Sequence, residues 1–138
     1  MKMLKKAASV ALASAMVFSL AACGSNGGGS DEGNSDATTF KIGSIGPITG
    51  DTAIYGTAVQ NGIQLAVDEI NADGGINGYQ IEYKFEDDQS DSEKSVNAYN
   101  TLKDWGMQML VGTVTSTPCT AVVEETHADN MFQLTPSA

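Results

Sequence analysis

The sequence predicts an α/β fold with a Rossmann-like parallel sheet, built in the order β-α-β-α-β-α-β over residues 40–138. Three observations lead to this prediction. Short apolar segments with strand character begin near residues 40, 79, 107 and 131, segments with helical periodicity separate them, and glycine-rich or acidic turns mark the junctions. Helices between successive strands favour right-handed crossovers, and therefore a parallel sheet.

The first strand and helix have the clearest pattern. Residues 40–46 (FKIGSIG) have the composition of a strand, which Pro47 and Gly50 end. A helix is expected from Ile54 to Ala72, and the sequence Asp-Gly-Gly that follows it can adopt the left-handed conformation of a helix end. The residues that recur on one apolar face of this helix are Val59, Ile63, Ala66, Val67 and Ile70.

The later elements repeat this pattern. Residues 79–86 alternate apolar and charged side chains, as a half-buried or edge strand does. A third strand is expected over residues 107–114, where Met109, Leu110 and Val111 form the apolar run of a central parallel strand. A second helix is expected over residues 92–104. A third helix begins with Pro118 in its first turn, and a fourth strand covers residues 131–135.

The first 22 residues predict a lipoprotein signal peptide. The basic start MKMLKK precedes an apolar run that is shorter than the roughly 20 residues of a membrane span. The run ends in LAACG, which resembles the lipobox of bacterial lipoproteins. This resemblance implies cleavage before Cys23, lipid attachment to its sulfur, and an extracytoplasmic protein anchored to the bacterial cell membrane. An ordinary secreted protein whose signal ends in cysteine is the alternative.

Residues 23–39 are expected to comprise the lipidated cysteine and a flexible linker. After Cys23 they consist of glycine, serine, asparagine, threonine, alanine and acidic residues, without a large apolar side chain. Such a segment cannot bury enough apolar surface to offset the entropy of ordering. The folded domain is therefore expected to occupy residues 40–138.

Charge and motif content exclude several functions. Seventeen acidic residues against seven basic ones give a formal net charge of −10, which disfavours nucleic acid as a partner. The spacing Gly43, Gly46, Gly50 lacks the G-x-G-x-x-G fingerprint, and no phosphate-binding loop with its lysine occurs. With one histidine and no G-x-S-x-G elbow, no catalytic residue and no cofactor are predicted.

No metal site is predicted either. Asp87, Gln89 and Asp91 are spaced like the start of a calcium loop, but Ser92 stands where that loop needs glycine. The preferred interpretation is a solvated loop in which Asp91 caps the second helix. Cys119, the second of the two cysteines in the sequence, is expected to be a small buried apolar residue.

The carboxyl ends of the predicted strands carry the groups from which we expect binding. Ligands of parallel α/β sheets lie at these ends. Hydroxyls and N–H groups at a helix start can hold a carboxylate, and backbone carbonyls can accept an ammonium group. These groups are suited to binding a zwitterion without reacting with it. The hydroxyl residues at these ends are Thr49, Tyr55, Thr115, Ser116, Thr117, Thr135 and Ser137.

Five stretches of the domain together carry a resemblance to a known family. They are the loop Gly46–Gly56, the run Asp68–Gly78, the Asp87-Asp88 turn, Gly112–Pro118 and Thr135–Ala138. With these stretches, residues 40–138 resemble the opening of type I periplasmic binding proteins of the branched-chain amino-acid class, the receptors of ABC importers. The resemblance implies the first lobe of a two-lobed receptor, incomplete in this chain and therefore impaired in binding.

The resemblance also implies a ligand site. Ser116 would offer its hydroxyl and N–H to the ligand carboxylate, and Thr117 would add an N–H. Ser137 would offer its carbonyl to the ammonium group, and Tyr55 would form a wall of the pocket. The implied partners are a leucine-, isoleucine- or valine-like amino acid and ABC permease subunits. Two alternatives remain, a sensor domain of the same fold for amino acids or small amides, and a Rossmann or flavodoxin-like enzyme, which the missing phosphate motifs disfavour.

Overall fold

The computed structural model describes residues 39–138. The predicted signal peptide (residues 1–22), Cys23 and residues 24–38 of the predicted linker lie outside these residues.

The structure confirms the predicted α/β fold and the order of its elements. All strand pairs are parallel, and the spatial order of the strands is β2-β1-β3-β4. The elements are β1 (Thr39–Gly46), α1 (Ala53–Ala72), β2 (Gln80–Asp87), α2 (Ser92–Asp104), β3 (Met109–Val111), α3 (Ser116–Ala128) and β4 (Gln133–Leu134).

The strand order places a topological switch point between β1 and β3. From β1 the chain moves to β2 on one side, with Thr39 paired to Gln80, and then crosses to β3 on the other side, where Ile42 pairs with Met109. At such a point the connections leave the sheet in opposite directions and open a crevice at the carboxyl ends of the strands. The loops after β1 and β3 therefore border the crevice in which this fold class binds ligands.

Two of the predicted strands are longer than those observed. Residues 112–114 were expected to continue β3, but they are buried as a loop at the carboxyl edge, where the Thr113 hydroxyl donates to the Thr115 carbonyl (3.3 Å). The fourth strand contains two residues instead of the expected five. Helix α3 starts at Ser116, so Pro118, which lacks an N–H, lies third in the helix, where none is needed.

The main core lies on one face of the sheet, beneath α2 and α3. Its buried residues are Ile45, Ala98, Tyr99, Leu102, Met107, Leu110 and Val122. On the other face, α1 contacts β2 and β1. Of its predicted apolar face, Val67 is buried, whereas Ala66 is exposed, and Leu65 on the same helix is 61% exposed. Helix α1 is therefore only partly covered by residues 39–138.

Candidate functional site

Four loops meet at the carboxyl edge of the sheet. They are residues 47–52 after β1, 88–91 after β2, 112–115 after β3 and 135–138 after β4. Because all strands are parallel, every one of these loops lies at the same edge. Side-chain hydrogen bonds join each loop to at least one of the others.

The carboxylate of Asp87 holds the loop after β1. It accepts hydrogen bonds from the N–H of Ile48 (2.9 Å), the hydroxyl of Thr49 and the N–H of Gln89 (3.1 Å). Burial alone would raise the pKa of Asp87, but the hydrogen bonds from Thr49, Ile48 and Gln89 together lower it below its usual value. Asp87 is therefore an ionised anchor between two loops of the site.

The neighbouring Asp88 is buried, and its pKa is shifted in the opposite direction. Its carboxylate accepts from the N–H of Ser90 (2.9 Å) and from the hydroxyl of Ser95 (3.0 Å). Burial raises the pKa of Asp88 despite these two hydrogen bonds. Asp91 caps α2 by accepting from the N–H of Lys94 (2.9 Å), which confirms the preferred interpretation of this acidic loop.

Three hydroxyl groups form a bridge across the edge. The Ser90 Oγ lies 2.6 Å from the Thr52 Oγ1 and accepts a hydrogen bond from the Thr115 hydroxyl at 3.3 Å. The bridge ties together the loops after β1, β2 and β3. Sequence reasoning did not identify Thr52 or Ser90, and no sequence signal pointed to them, since they are 38 positions apart.

This bridge leaves the start of α3 without a side-chain cap. Thr115 occupies the N-cap position, but its hydroxyl donates to Ser90, and its carbonyl accepts from the N–H of Cys119 (3.1 Å). Within residues 39–138, the N–H groups of Ser116 and Thr117 have no hydrogen-bond partner, and both residues are exposed. Free N–H groups at the positive end of a helix dipole attract an anion such as a carboxylate.

The segment after β4 is held against the loop after β3. The Ser137 hydroxyl donates to the Val114 carbonyl (2.6 Å), and the Thr135 hydroxyl donates to the Thr113 carbonyl (2.8 Å). The hydroxyl of Ser137 is therefore engaged within the fold, and the ligand contact that the resemblance implies for its carbonyl stays a prediction. An open cavity of about 260 Å³ lies beside this junction, lined by Ser116, Cys119, Thr120, Val123 and Ala138.

The predicted site residues are only partly brought together. Ser116 lines the cavity next to the segment that contains Ser137, and Thr117 follows Ser116 in α3 but does not line the cavity. Tyr55 lies in the first turn of α1 and is 62% exposed. It does not line this cavity, and it forms no hydrogen bond with the other three residues. Cys23, the predicted lipidation site, lies outside the described residues.

The prediction for Cys119 is wrong in degree. It is a free cysteine that is half-buried rather than buried, because one side of it faces the cavity. The Gln133 side-chain amide lies 3.8 Å from its sulfur. Across residues 39–138, the structure shows no group of three histidine, cysteine or acidic residues arranged to hold a metal ion, and none of its helices combines the length and apolar character of a membrane span.

Comparison with known proteins identifies the family. The sequence model of the periplasmic binding protein family matches residues 39–138. The chain is 39% identical over 97 residues to the Leu/Ile/Val-binding protein BraC3 of Rhizobium johnstonii, covering 70% of this chain and 26% of that protein. It is 36% identical over 105 residues to a leucine-, isoleucine-, valine-, threonine- and alanine-binding protein of Pseudomonas aeruginosa, covering 74% and 27%.

A solved structure gives the same result. The branched-chain amino acid transporter substrate-binding protein LivJ of Streptococcus pneumoniae, crystallised with isoleucine, superposes with a TM-score of 0.69 at 40% identity, over 72% of this chain and 29% of that one. The chain thus spans about a quarter of the length of the relatives that it matches. It belongs to the type I periplasmic binding proteins of the branched-chain amino-acid class, of whose fold it contains a part.

Proposed function

We propose that this chain forms one side of the binding cleft of an extracytoplasmic, lipid-anchored substrate-binding protein of an ABC importer. Its ligand is a branched-chain or related amino acid, bound without catalysis. The observation that carries the proposal is the uncapped start of α3, where the free N–H groups of Ser116 and Thr117 and the Ser116 hydroxyl meet at the switch-point edge. Relatives named as leucine-, isoleucine- and valine-binding proteins support the ligand class.

The ligand carboxylate binds at the start of α3. The N–H groups of Ser116 and Thr117 donate to its oxygens, together with the Ser116 hydroxyl. A hydrogen bond to a charged group contributes about 1.5–3 kcal/mol, and the helix dipole adds to the attraction. The hydroxyl bridge supports this arrangement, because it occupies the Thr115 side chain that would otherwise cap the helix.

The ammonium group and the side chain of the ligand lie toward the segment after β4. The carbonyl of Ser137 accepts from the ammonium group, and the hydrogen bond from Ser137 to Val114 fixes the position of that backbone. The ring of Tyr55 covers the ligand side chain. Since Tyr55 does not line the cavity beside Ser116, this contact requires the ligand to reach beyond that cavity toward the start of α1.

The partners of the protein follow from its family and its predicted leader. Cys23 carries the lipid that keeps the protein at the membrane, and ABC permease subunits receive the amino acid. Because the chain spans about a quarter of its relatives' length, the opposite side of the cleft is supplied by residues outside this chain. We therefore expect residues 39–138 to bind an amino acid weakly, in the millimolar range that a few hydrogen bonds provide.

An NMR titration tests the proposal. The full chain, labelled with ¹⁵N and held in detergent micelles, is titrated with L-isoleucine and, separately, with L-isoleucinamide, which lacks the carboxylate. We expect isoleucine to shift the amide signals of Ser116 and Thr117 and isoleucinamide to leave them in place. The Ser116→Ala variant should weaken this response several-fold.

Thr101→Ala is the matched control, since Thr101 is an exposed helical residue whose hydroxyl donates to its own helix at Asn97 (3.0 Å). It should respond to isoleucine as the unaltered chain does. If no aliphatic amino acid moves the Ser116 and Thr117 signals, the assignment of the ligand is wrong. If isoleucinamide moves them equally, the assignment of the carboxylate to α3 is wrong.

A further inference from the structure

The backbone of Thr115 is set for a helix cap that its side chain does not make. Its φ of −113° and ψ of 150° lie in the extended region that N-cap residues adopt. Its carbonyl accepts hydrogen bonds from the Thr113 hydroxyl (3.3 Å) and from the Cys119 N–H (3.1 Å), which hold this backbone in place. A rotation of the Thr115 side chain alone would therefore bring its hydroxyl into the capping position.

Such a cap would have a single target at the start of α3. An N-cap side chain accepts from the N–H of the second or the third helical residue. In α3 the third residue is Pro118, which has no N–H, and the second is Thr117. The Thr117 N–H is also one of the two N–H groups that the ligand carboxylate takes in the proposed function. A capping Thr115 hydroxyl and the ligand would therefore compete for the same N–H.

Ser90 holds the Thr115 hydroxyl away from this target. The Ser90 Oγ accepts a hydrogen bond from the Thr115 hydroxyl (3.3 Å) and lies 2.6 Å from the Thr52 Oγ1. A hydroxyl can donate and accept at the same time, so the bond to Ser90 acts by fixing the direction of the Thr115 side chain. In that direction, the Thr115 hydroxyl makes no capping hydrogen bond to α3.

The position of Ser90 is itself fixed by its own loop. The Ser90 N–H donates to the buried Asp88 carboxylate (2.9 Å), and the next residue, Asp91, caps α2. The φ of Ser90 is 58° and that of Gln89 is 51°, both in the left-handed region. Residues other than glycine remain in this region only where the surrounding contacts determine it. The Ser90 hydroxyl is thus directed toward the loops after β1 and β3 by a rigid turn.

We propose that Ser90 is a positioning residue of the amino-acid site, which strengthens ligand binding by keeping the Thr115 side chain off the Thr117 N–H. The proposal rests on the proposed function, because it needs the ligand carboxylate at the start of α3. Ser90 acts without contacting the ligand. When its hydroxyl is removed, the Thr115 side chain turns to cap α3, and the ligand has to displace this internal competitor.

A pair of substitutions tests this competition in the ¹⁵N-labelled full chain, held in detergent micelles and titrated with L-isoleucine. Ser90→Ala should weaken binding about fivefold, the factor to which a typical N-cap corresponds. Thr115→Val keeps the shape of the side chain but has no hydroxyl that could cap α3. In the Thr115→Val background, Ser90→Ala should therefore weaken binding no further. Thr101→Ala again serves as the control and should respond as the unaltered chain does.

Hydrogen exchange of the Thr117 N–H reports the cap without any ligand. Ser90→Ala should slow this exchange about fivefold, because the N–H gains a hydrogen-bond partner. Adding Thr115→Val should return the exchange to the rate of the unaltered chain. A loop that had only lost its order would neither slow the exchange at Thr117 nor lose its effect on binding in the Thr115→Val background.

The proposal is overturned if Ser90→Ala leaves the exchange of the Thr117 N–H unchanged. It is also overturned if Ser90→Ala weakens isoleucine binding equally with and without Thr115→Val, since Ser90 would then only support its loop. A failure of Ser90 alone leaves the isoleucine response of the unaltered chain intact, whereas a failure of the proposed function removes that response.

Discussion

The carboxylate of Asp87, the last residue of β2, accepts a hydrogen bond from the N–H of Ile48 across 39 positions of sequence. This bond joins the loop after β1 to the end of the adjacent strand. It exists because β1 and β2 pair in register over their whole length, with Gly46 opposite Asp87. The hydroxyl bridge of Thr52, Ser90 and Thr115 extends the same link to β3, so the edge that we propose to bind amino acids is held together by side chains rather than by strand pairing.

Asp87 and Asp88 should give opposite dependences of stability on pH. The folded-state pKa of Asp87 is lowered, so its stabilisation is present above the unfolded pKa of 3.8 and is lost as the pH falls through the folded value. The folded-state pKa of Asp88 is raised, so its contribution is present below 3.8 and is lost as the pH rises through the folded value.

The measurement is urea unfolding of the full chain, followed by the fluorescence of Trp105, the single tryptophan. As the pH falls from about 6 to 3, the free energy of unfolding of the unaltered chain should lose its advantage over that of Asp87→Asn. Over the same range, the free energy of unfolding of the unaltered chain should rise relative to that of Asp88→Asn. If both differences in the free energy of unfolding changed with pH in the same direction, the proposed roles of the two carboxylates would be contradicted.

Gly56→Ala should destabilise the protein through the loop after β1. A Cβ at Gly56 would lie 1.8 Å from the carbonyl oxygen of Pro47, which is backbone and cannot move without displacing the loop. Overpacking of this kind costs about 1–3 kcal/mol of unfolding free energy. The same substitution at Gly62, where nothing lies within 4 Å, should instead stabilise α1 by about 0.5–1 kcal/mol. Equal effects at both positions in urea unfolding would show that the contact with Pro47 is unimportant.

Removing a hydroxyl from Tyr83 or from Tyr99 should change the stability in opposite directions. The Tyr83 hydroxyl is buried without a hydrogen-bond partner among residues 39–138, since the neighbouring Ser44 donates to the Val111 carbonyl, and burial raises the pKa of Tyr83 to about 12. Tyr83→Phe should therefore raise the free energy of unfolding by up to about 1 kcal/mol.

Tyr99 is the matched comparison. Its hydroxyl donates to the Asp129 carboxylate (2.9 Å), which also contacts Lys103, and this bond connects α2 to the end of α3. Tyr99→Phe should lower the melting temperature. Destabilisation by Tyr83→Phe would indicate that its hydroxyl has a partner in solution.

Cys23→Ser should abolish lipid attachment. If Cys23 carries the acyl chains, cells given an alkyne-tagged fatty acid will label the unaltered chain and Cys119→Ser, but not Cys23→Ser. Once its signal peptide has been removed, the unlabelled variant should leave the membrane fraction, because it lacks the acyl chains, of which each buried CH₂ contributes about 0.8 kcal/mol to anchoring. Labelling of Cys23→Ser at the level of the unaltered chain would rule out this anchor.

The sequence by itself determined the fold class, the order of the seven elements and the family. These follow from local patterns, such as the alternation in residues 79–86 and the glycines around α1, which need no knowledge of distant contacts. It also indicated that Asp91 caps α2, because a cap lies within three residues of its partner.

Only the tertiary structure decided how the edge of the sheet is assembled. The sequence of residues 112–114 is equally compatible with a strand and with a buried loop, and the burial of these residues does not distinguish the two. The partners of Asp87 and Ser90 in the other loops lie 25 to 39 positions away, so these contacts depend on the strand order β2-β1-β3-β4. The free N–H groups at Ser116 likewise depend on the distant hydroxyl that engages Thr115. A local sequence pattern specifies an element, but a site built from loop ends requires the strands to be placed in space first.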